Sequence, residues 1–344
     1  MSTEHGIPSI DLAPLFGAAS PARARTDAQI MEAAASVGFF AARGLTGDLP
    51  IDAASRAELL RLFRLEPSAI RPLWRQKFEP SHPNRYRGWF PLQTGFLTAK
   101  EGIDLGADVA YGSSLVEADD PLREATPMPP EDVLPGWRNS VARRYLGLEG
   151  VARTLMQSIA RDLGLDERFF DSKFERGLST LRLIRYPART DLEQAAAANP
   201  GLMVEHDGAR CHITGIAHVD SGFLTLLAQD GVAGLQARDR SGEWIDVPPT
   251  PGVLAVNFGA ILETWSAGRI KATEHRVIGR GEERMSIAFF YEARADAEIR
   301  PLPMHTADSF APFFYGDYLW ARTTQFVEFA GMESLRRPLR SPIA

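Results

Sequence analysis

From residue 178 onward the apolar residues of this chain come in short blocks. The blocks 181–186, 223–227, 253–258 and 285–291 are five to seven residues long and are separated by Gly, Pro and Asp turn residues. Short apolar runs bounded by turn formers predict an all-β sandwich or barrel. Upstream the spacing is helical. Residues 26–42 carry Ile30, Ala33, Ala34 and Val37 on one face and stop at Arg43-Gly44, which predicts a helix there. Residues 56–65 and 141–163 read the same way, the latter ending at Gly164, and residues 313–329 are expected to be helical near the end of the chain. Between 78 and 135, Pro, Gly and polar residues predict loops with short strands.

Composition narrows the class without deciding it. With 344 residues, 44% hydrophobic and 24% charged, the chain is expected to bury a large core as an ordinary globular protein. No apolar run approaches the roughly 18 residues that a membrane span needs, and the first residues lack the basic-then-apolar order of a secretory leader. A net charge of −6 argues against nucleic acid as a partner. The single cysteine, Cys211, forbids an internal disulfide and fits a reducing cytoplasm. Oligomeric state is not legible.

The chemistry concentrates in two places. In Ala217-His218-Val219-Asp220-Ser221 a strand over 217–227 would project His218 and Asp220 from one face, and His275 in Glu274-His275-Arg276 would add a second imidazole. Two histidines and a carboxylate on one face of an octahedral ion, with the other positions open, suit a non-haem Fe(II) site. Nine residues after His275 comes Arg284, with Ser286 two further on. Gly279-Arg280-Gly281-Glu282-Glu283 reads as a hairpin loop, so the strands through His275 and Arg284 are expected to be neighbours. A guanidinium with a hydroxyl beside it suits a buried carboxylate. His206 and His212 fall in a stretch, 201–215, read as a loop with solvated imidazoles or as a lid. Trp89, Phe90, Phe96 and Trp265 are either pocket lining or core.

The ordered set of motifs resembles the Fe(II)- and 2-oxoglutarate-dependent dioxygenases, in the branch that includes isopenicillin N synthase. Leu181-Arg182-Leu183-Ile184-Arg185-Tyr186-Pro187, Gly234-Leu235-Gln236, Val256-Asn257-Phe258-Gly259, the stretch from Ser266 to Val277, Ile7-Pro8-Ser9-Ile10-Asp11-Leu12 and Lys100-Glu101 through Gly106 all carry the likeness, which covers about residues 7–300. Departures at Gly259-Ala260, at Ala267 and at Ile184-Arg185 leave the metal and carboxylate residues in place.

The resemblance implies a mainly β protein with flanking helices: a double-stranded β-helix (jelly-roll) core over 178–295, a helical and irregular region over 1–135, a helical connection at 136–177 and a closing segment at 296–344. It implies Fe(II) on His218, Asp220 and His275, 2-oxoglutarate held by Arg284, Ser286 and Tyr186, and O2 as the oxidant. The product set is then succinate, CO2 and an oxidised small molecule. Asn257 reads as structural. Arg182, on the Tyr186 face of its strand, is expected to reach a small carboxylate substrate unless a protein carboxylate takes it up. The alternatives are an oxidase like isopenicillin N synthase, whose Arg284 and Ser286 would hold the substrate's own carboxylate, and a non-catalytic metal-binding module.

Overall fold

The structure is a computed structural model that describes residues 6–46, 49–92, 100–190, 197, 199–304, 309–326 and 328–339. Phe96 and most of the alanine-rich stretch 193–199 lie outside them.

Among the described residues, fifteen strands form two facing sheets and one small pair. The strands are β1 (Ser9–Asp11), β2 (Phe39–Arg43), β3 (Gly88–Phe90), β4 (Glu101–Leu105), β5 (Thr180–Tyr186), β6 (Met203–His206), β7 (Ala209–His218), β8 (Leu224–Gln229), β9 (Leu235–Arg238), β10 (Trp244–Asp246), β11 (Leu254–Phe258), β12 (His275–Gly279), β13 (Arg284–Tyr291), β14 (Glu298–Ile299) and β15 (Phe313–Phe314). The major sheet runs β1-β2-β11-β8-β13-β5-β4-β3 and the minor sheet β10-β9-β12-β7-β6, while β14 and β15 pair with each other.

From β7 to β13 the chain crosses from sheet to sheet at nearly every connection, which is the winding of a double-stranded β-helix. That winding corrects the hairpin expected at 279–283. β12 pairs with β7 and β9, whereas β13 pairs with β5 and β8. His275 and Arg284 therefore stand in different sheets, one on each side of the sandwich. Glycine-rich loops permit a crossover between sheets as readily as a tight turn, and spacing alone does not tell the two apart. Phe39, Ala255, Leu235, Ala237, Val247 and Val277 pack between the walls.

The helices are shifted from their expected limits for local reasons. Helix α1 (Pro21–Ser36) starts at Ser20, whose side chain accepts from the Arg23 N–H, with Pro21 in the first turn, a favoured N-terminus. It stops at Val37-Gly38, six residues before the expected end. Gly38 takes φ +72°, and a Cβ there would sit 2.2 Å from Thr273 Oγ1. The residues after it become β2 because β11 and β1 offer them a ladder. Helix α2 (Ala53–Leu60) passes into a 3-10 turn, Arg61–Arg64. Helix α3 (Trp137–Asp162) lies on the outer face of the major sheet, with Tyr145 edge-on to Phe289 at 5.0 Å, and Gly164 ends it at φ +74°. Two shorter helices matter below, α4 (Ala260–Trp265) and α5 (Tyr315–Thr323). α5 is shorter than the helix expected over 313–329, because Phe313–Phe314 pairs with β14. Among the described residues no helix is long and apolar enough to cross a membrane.

Candidate active site

His218 closes β7 and His275 opens β12, directly opposite each other across an antiparallel pair. Their rings are 4.4 Å apart. Asp220 is not on a continuous strand with His218, as its spacing suggests, but in the crossing loop between β7 and β8. The loop brings its carboxylate Oδ1 to 3.7 Å from His218 Nε2 and 3.8 Å from His275 Nε2. All three residues offer ligand atoms within 4.8 Å of one another.

The hydrogen bonds around the three orient them toward a common point. His218 Nδ1 lies 2.8 Å from the Ile216 carbonyl and His275 Nδ1 lies 3.1 Å from the Thr273 carbonyl. A carbonyl only accepts, so each Nδ1 carries the proton and each Nε2 turns a lone pair inward, the usual support of a metal-binding imidazole. Burial, followed by the neighbouring His275, holds His218 below its ordinary range and keeps it neutral. Asp220 Oδ2 accepts from Thr225 Oγ1 at 2.5 Å and Asn257 Nδ2 at 2.8 Å, which leaves Oδ1 for the histidine side. Burial pushes Asp220 up, but the two histidines and these two hydrogen bonds together hold its carboxyl below the ordinary range. The set is one carboxylate and two imidazoles, each oriented by its own hydrogen bond, which fits a divalent cation. His218 keeps 43% of its side-chain surface accessible against 10% for His275, so the site opens on the His218 side.

The loop that holds Asp220 is locked by its neighbour. Ala260 N–H donates to the Asp220 carbonyl at 2.7 Å and Gly259 N–H to the Phe223 carbonyl at 2.8 Å. Asn257, through its bond to Asp220 Oδ2, holds a carboxylate of the candidate site in place, an indirect role in keeping with its reading as structural. Thr225 and Gln229 are missed by motif reading, yet they carry a signal. They are the polar residues in Leu224-Thr225-Leu226-Leu227-Ala228-Gln229, four apart, so they share the inward face of an otherwise apolar strand.

On the major sheet, Arg284 faces Tyr186 and Ser286 faces both Gln229 and Ile184. Arg284 is 3% exposed, and its guanidinium stands 5.4 Å from the Tyr186 ring centroid. Its Nη2 donates to the neutral Gln229 Oε1 at 3.2 Å, and its Nε has no hydrogen-bond partner among the described residues. A buried guanidinium with no carboxylate beside it among the described residues is costly unless an anion comes to it.

Arg182 does not fit its expected role. Its Nε and Nη2 meet Asp104 Oδ1 and Oδ2 at 2.5 and 2.7 Å, and Arg75 meets the same carboxylate. The rings of Phe90 and Phe290 flank its guanidinium at 5.5 and 5.3 Å. A protein carboxylate takes it up, so the expected substrate contact is withdrawn. Burial pushes the Asp104 carboxyl up, but Arg182 and Arg75 override it and hold it at about 2.

The stretch 201–215 is not a loop either. Asp207-Gly208, with φ of +49° and +68°, turns β6 into β7 as a hairpin, the Asp-Gly signature of a type I′ turn. His206 sits partly exposed beside Asp246, 3.0 Å away, and His212 is buried. Trp89 and Trp265 belong to the core.

Comparison with known proteins now decides the family. The 2OG-Fe(II) oxygenase superfamily matches residues 183–293. Homoarginine-6-hydroxylase 2-ODD-C23 of Glycine max is 30% identical over 94% of this chain and 98% of its own length. The chain belongs to the 2OG-Fe(II) oxygenase superfamily. Isopenicillin N synthase of Streptomyces clavuligerus is 26% identical to this oxygenase, over 91% of the chain and 93% of its own. The crystal structure of a full-length Neurospora crassa protein in complex with alpha-KG and 5-formyluracil shares the fold, with a TM-score of 0.75, 24% identity and coverage of 95% and 98% of the two chains. The oxygenase is thus an Fe(II)- and 2-oxoglutarate-dependent enzyme with a jelly-roll core, acting on a small molecule, and the oxidase and non-catalytic alternatives give way.

Proposed function

We propose that His218, Asp220 and His275 hold the Fe(II), and that Arg284, Ser286 and Tyr186 hold the far carboxylate of 2-oxoglutarate. When bound, iron with 2-oxoglutarate and O2 supplies the oxidising chemistry that yields succinate, CO2 and an oxidised small molecule. The chain's own residues bind, orient and exclude water. Asn257 and Thr225 fix the Asp220 carboxylate, the Ile216 and Thr273 carbonyls fix the imidazoles, and the apolar residues between the sheets keep the interior dry. The observation that carries the reading is Arg284: a buried cation on the wall facing the histidines, with a neutral partner and a spare donor. The lone buried Cys211 supports a reducing compartment, and we place the enzyme in the cytoplasm.

Anaerobic titration with Fe(II) and then 2-oxoglutarate tests both halves, read from the weak visible charge-transfer band of the chelate. Alanine at His218, Asp220 or His275 should remove the band. Removing one partner of a buried charged pair costs about 3–5 kcal/mol, so Arg284→Leu should raise the 2-oxoglutarate requirement by orders of magnitude. Ser286→Ala should cost about 1–2 kcal/mol. A triad variant with full metal affinity, or an Arg284→Leu protein with normal 2-oxoglutarate binding, would sink the corresponding half.

A further inference from the structure

His212 is a histidine that the mechanism above leaves unused, and it lies where the far end of the co-substrate would rest. It stands on β7 opposite Gly279 of β12, six residues before His218, and is 2% exposed. A single cavity is lined by His212 and Thr214 from the minor sheet, Tyr186 and Arg284 from the major sheet, and Ile278 and Gly279. The two walls therefore meet at the guanidinium assigned to the far carboxylate, one contributing Arg284 and the other an imidazole.

We propose that His212 is a further binding residue of this pocket, donating a ring N–H to the carboxylate that Arg284 holds. The inference rests on the assignment of Arg284. A carboxylate has about four acceptor positions on its two oxygens, and Arg284 already spends one arm on Gln229. Acceptor capacity is left for a second donor, and an imidazole on the facing wall is a donor of the kind that fills it. With donors on both walls, the pocket selects a 2-oxo acid that carries a terminal carboxylate over one that lacks it. His212 would then be a specificity residue for the co-substrate, not a solvated loop histidine.

The test compares two ligands on the Fe(II)-loaded protein without oxygen. One is 2-oxoglutarate; the other is 2-oxobutyrate, which chelates metal through the same keto-acid end but has no far carboxylate. A hydrogen bond to a charged group is large enough that His212→Leu should weaken 2-oxoglutarate about tenfold to a hundredfold. It should leave 2-oxobutyrate unchanged, and His212→Gln, which keeps an N–H donor, should recover most of the loss. Equal weakening of both ligands, or no weakening of 2-oxoglutarate, overturns the proposal. Should His212→Leu fail to fold, the ring 15N resonances of His212 in the Zn(II)-loaded native protein decide. A shift with 2-oxoglutarate and none with 2-oxobutyrate supports the role, and the same response to both removes it. Arg284→Leu separates the two levels: if it leaves 2-oxoglutarate binding intact, the far-carboxylate reading itself fails. If Arg284→Leu is crippled while His212→Leu is silent, only the role of His212 falls.

Discussion

The two oxygens of Asp220 have different partners, and that division sets how tightly the site can hold a metal. Oδ2 is spent on Thr225 and Asn257, and Oδ1 faces the imidazoles. Asn257→Ala should leave Oδ2 held by Thr225 alone, and loss of such an outer hydrogen bond typically lowers metal affinity about 10–100-fold. Competition for Fe(II) against a chromophoric chelator under anaerobic conditions measures it; affinity equal to the native protein would show that the bond orients nothing. The grouping of His218, Asp220 and His275 was legible as a candidate, because the chemistry of two imidazoles and a carboxylate is distinctive. Arg182 was not. Its partner Asp104 lies 78 residues away in sequence, and no local pattern shows which buried arginine is satisfied by such a distant carboxylate.

At the scale of elements, what the sequence carries is period and punctuation, and what it lacks is the choice of sheet. The apolar blocks do become β5, β8, β11 and β13, yet all four lie in the major sheet, while β12, which carries His275, lies in the other. Nothing in Gly279–Glu283 records that crossing, because the ladder partners, β7 and β9 for β12 and β5 and β8 for β13, lie elsewhere in the chain. Asp207-Gly208 is the opposite case: a turn signal present in the sequence and masked by the length of the stretch. The β11–α4 corner shows how an element end positions chemistry. Gly259 has φ −97°, so any residue could adopt its backbone, but a Cβ there would lie 2.1 Å from the Gly222 carbonyl oxygen. Neither backbone can yield without moving the Asp220 loop. Gly259→Ala should therefore destabilise the fold by about 1–3 kcal/mol, as overpacking does, and weaken Fe(II) binding as well. Thermal unfolding and metal titration check the two effects, and a variant unchanged in both would disprove the constraint.

Over the whole molecule, α5 is tied to the Asp220 loop through one tyrosine and to the end of β13 through another. Tyr318 donates to the Ser221 carbonyl at 2.9 Å, and Tyr315 donates to Glu292, a buried carboxyl just beyond β13. Burial, reinforced by the charge of Asp220, raises Glu292 well above the ordinary carboxylate range. The folded protein therefore holds this proton more tightly than the unfolded chain, whose glutamate titrates near roughly 4.3. The resulting stabilisation is fully present below that pH and is lost as pH rises toward the folded-state value. Stability attributable to Glu292 should fall by at most about 1.4 kcal/mol per pH unit across that window. Glu292→Gln keeps the shape and an acceptor for Tyr315 but has no proton to lose. Metal-free native and variant proteins should unfold alike near pH 4, and the variant should become progressively the more stable as pH rises toward 8. Denaturant midpoints taken across that range measure the gap. A gap that stays constant with pH would mean that Glu292 does not titrate anomalously, and a gap that opens toward acid would reverse the sign of the argument.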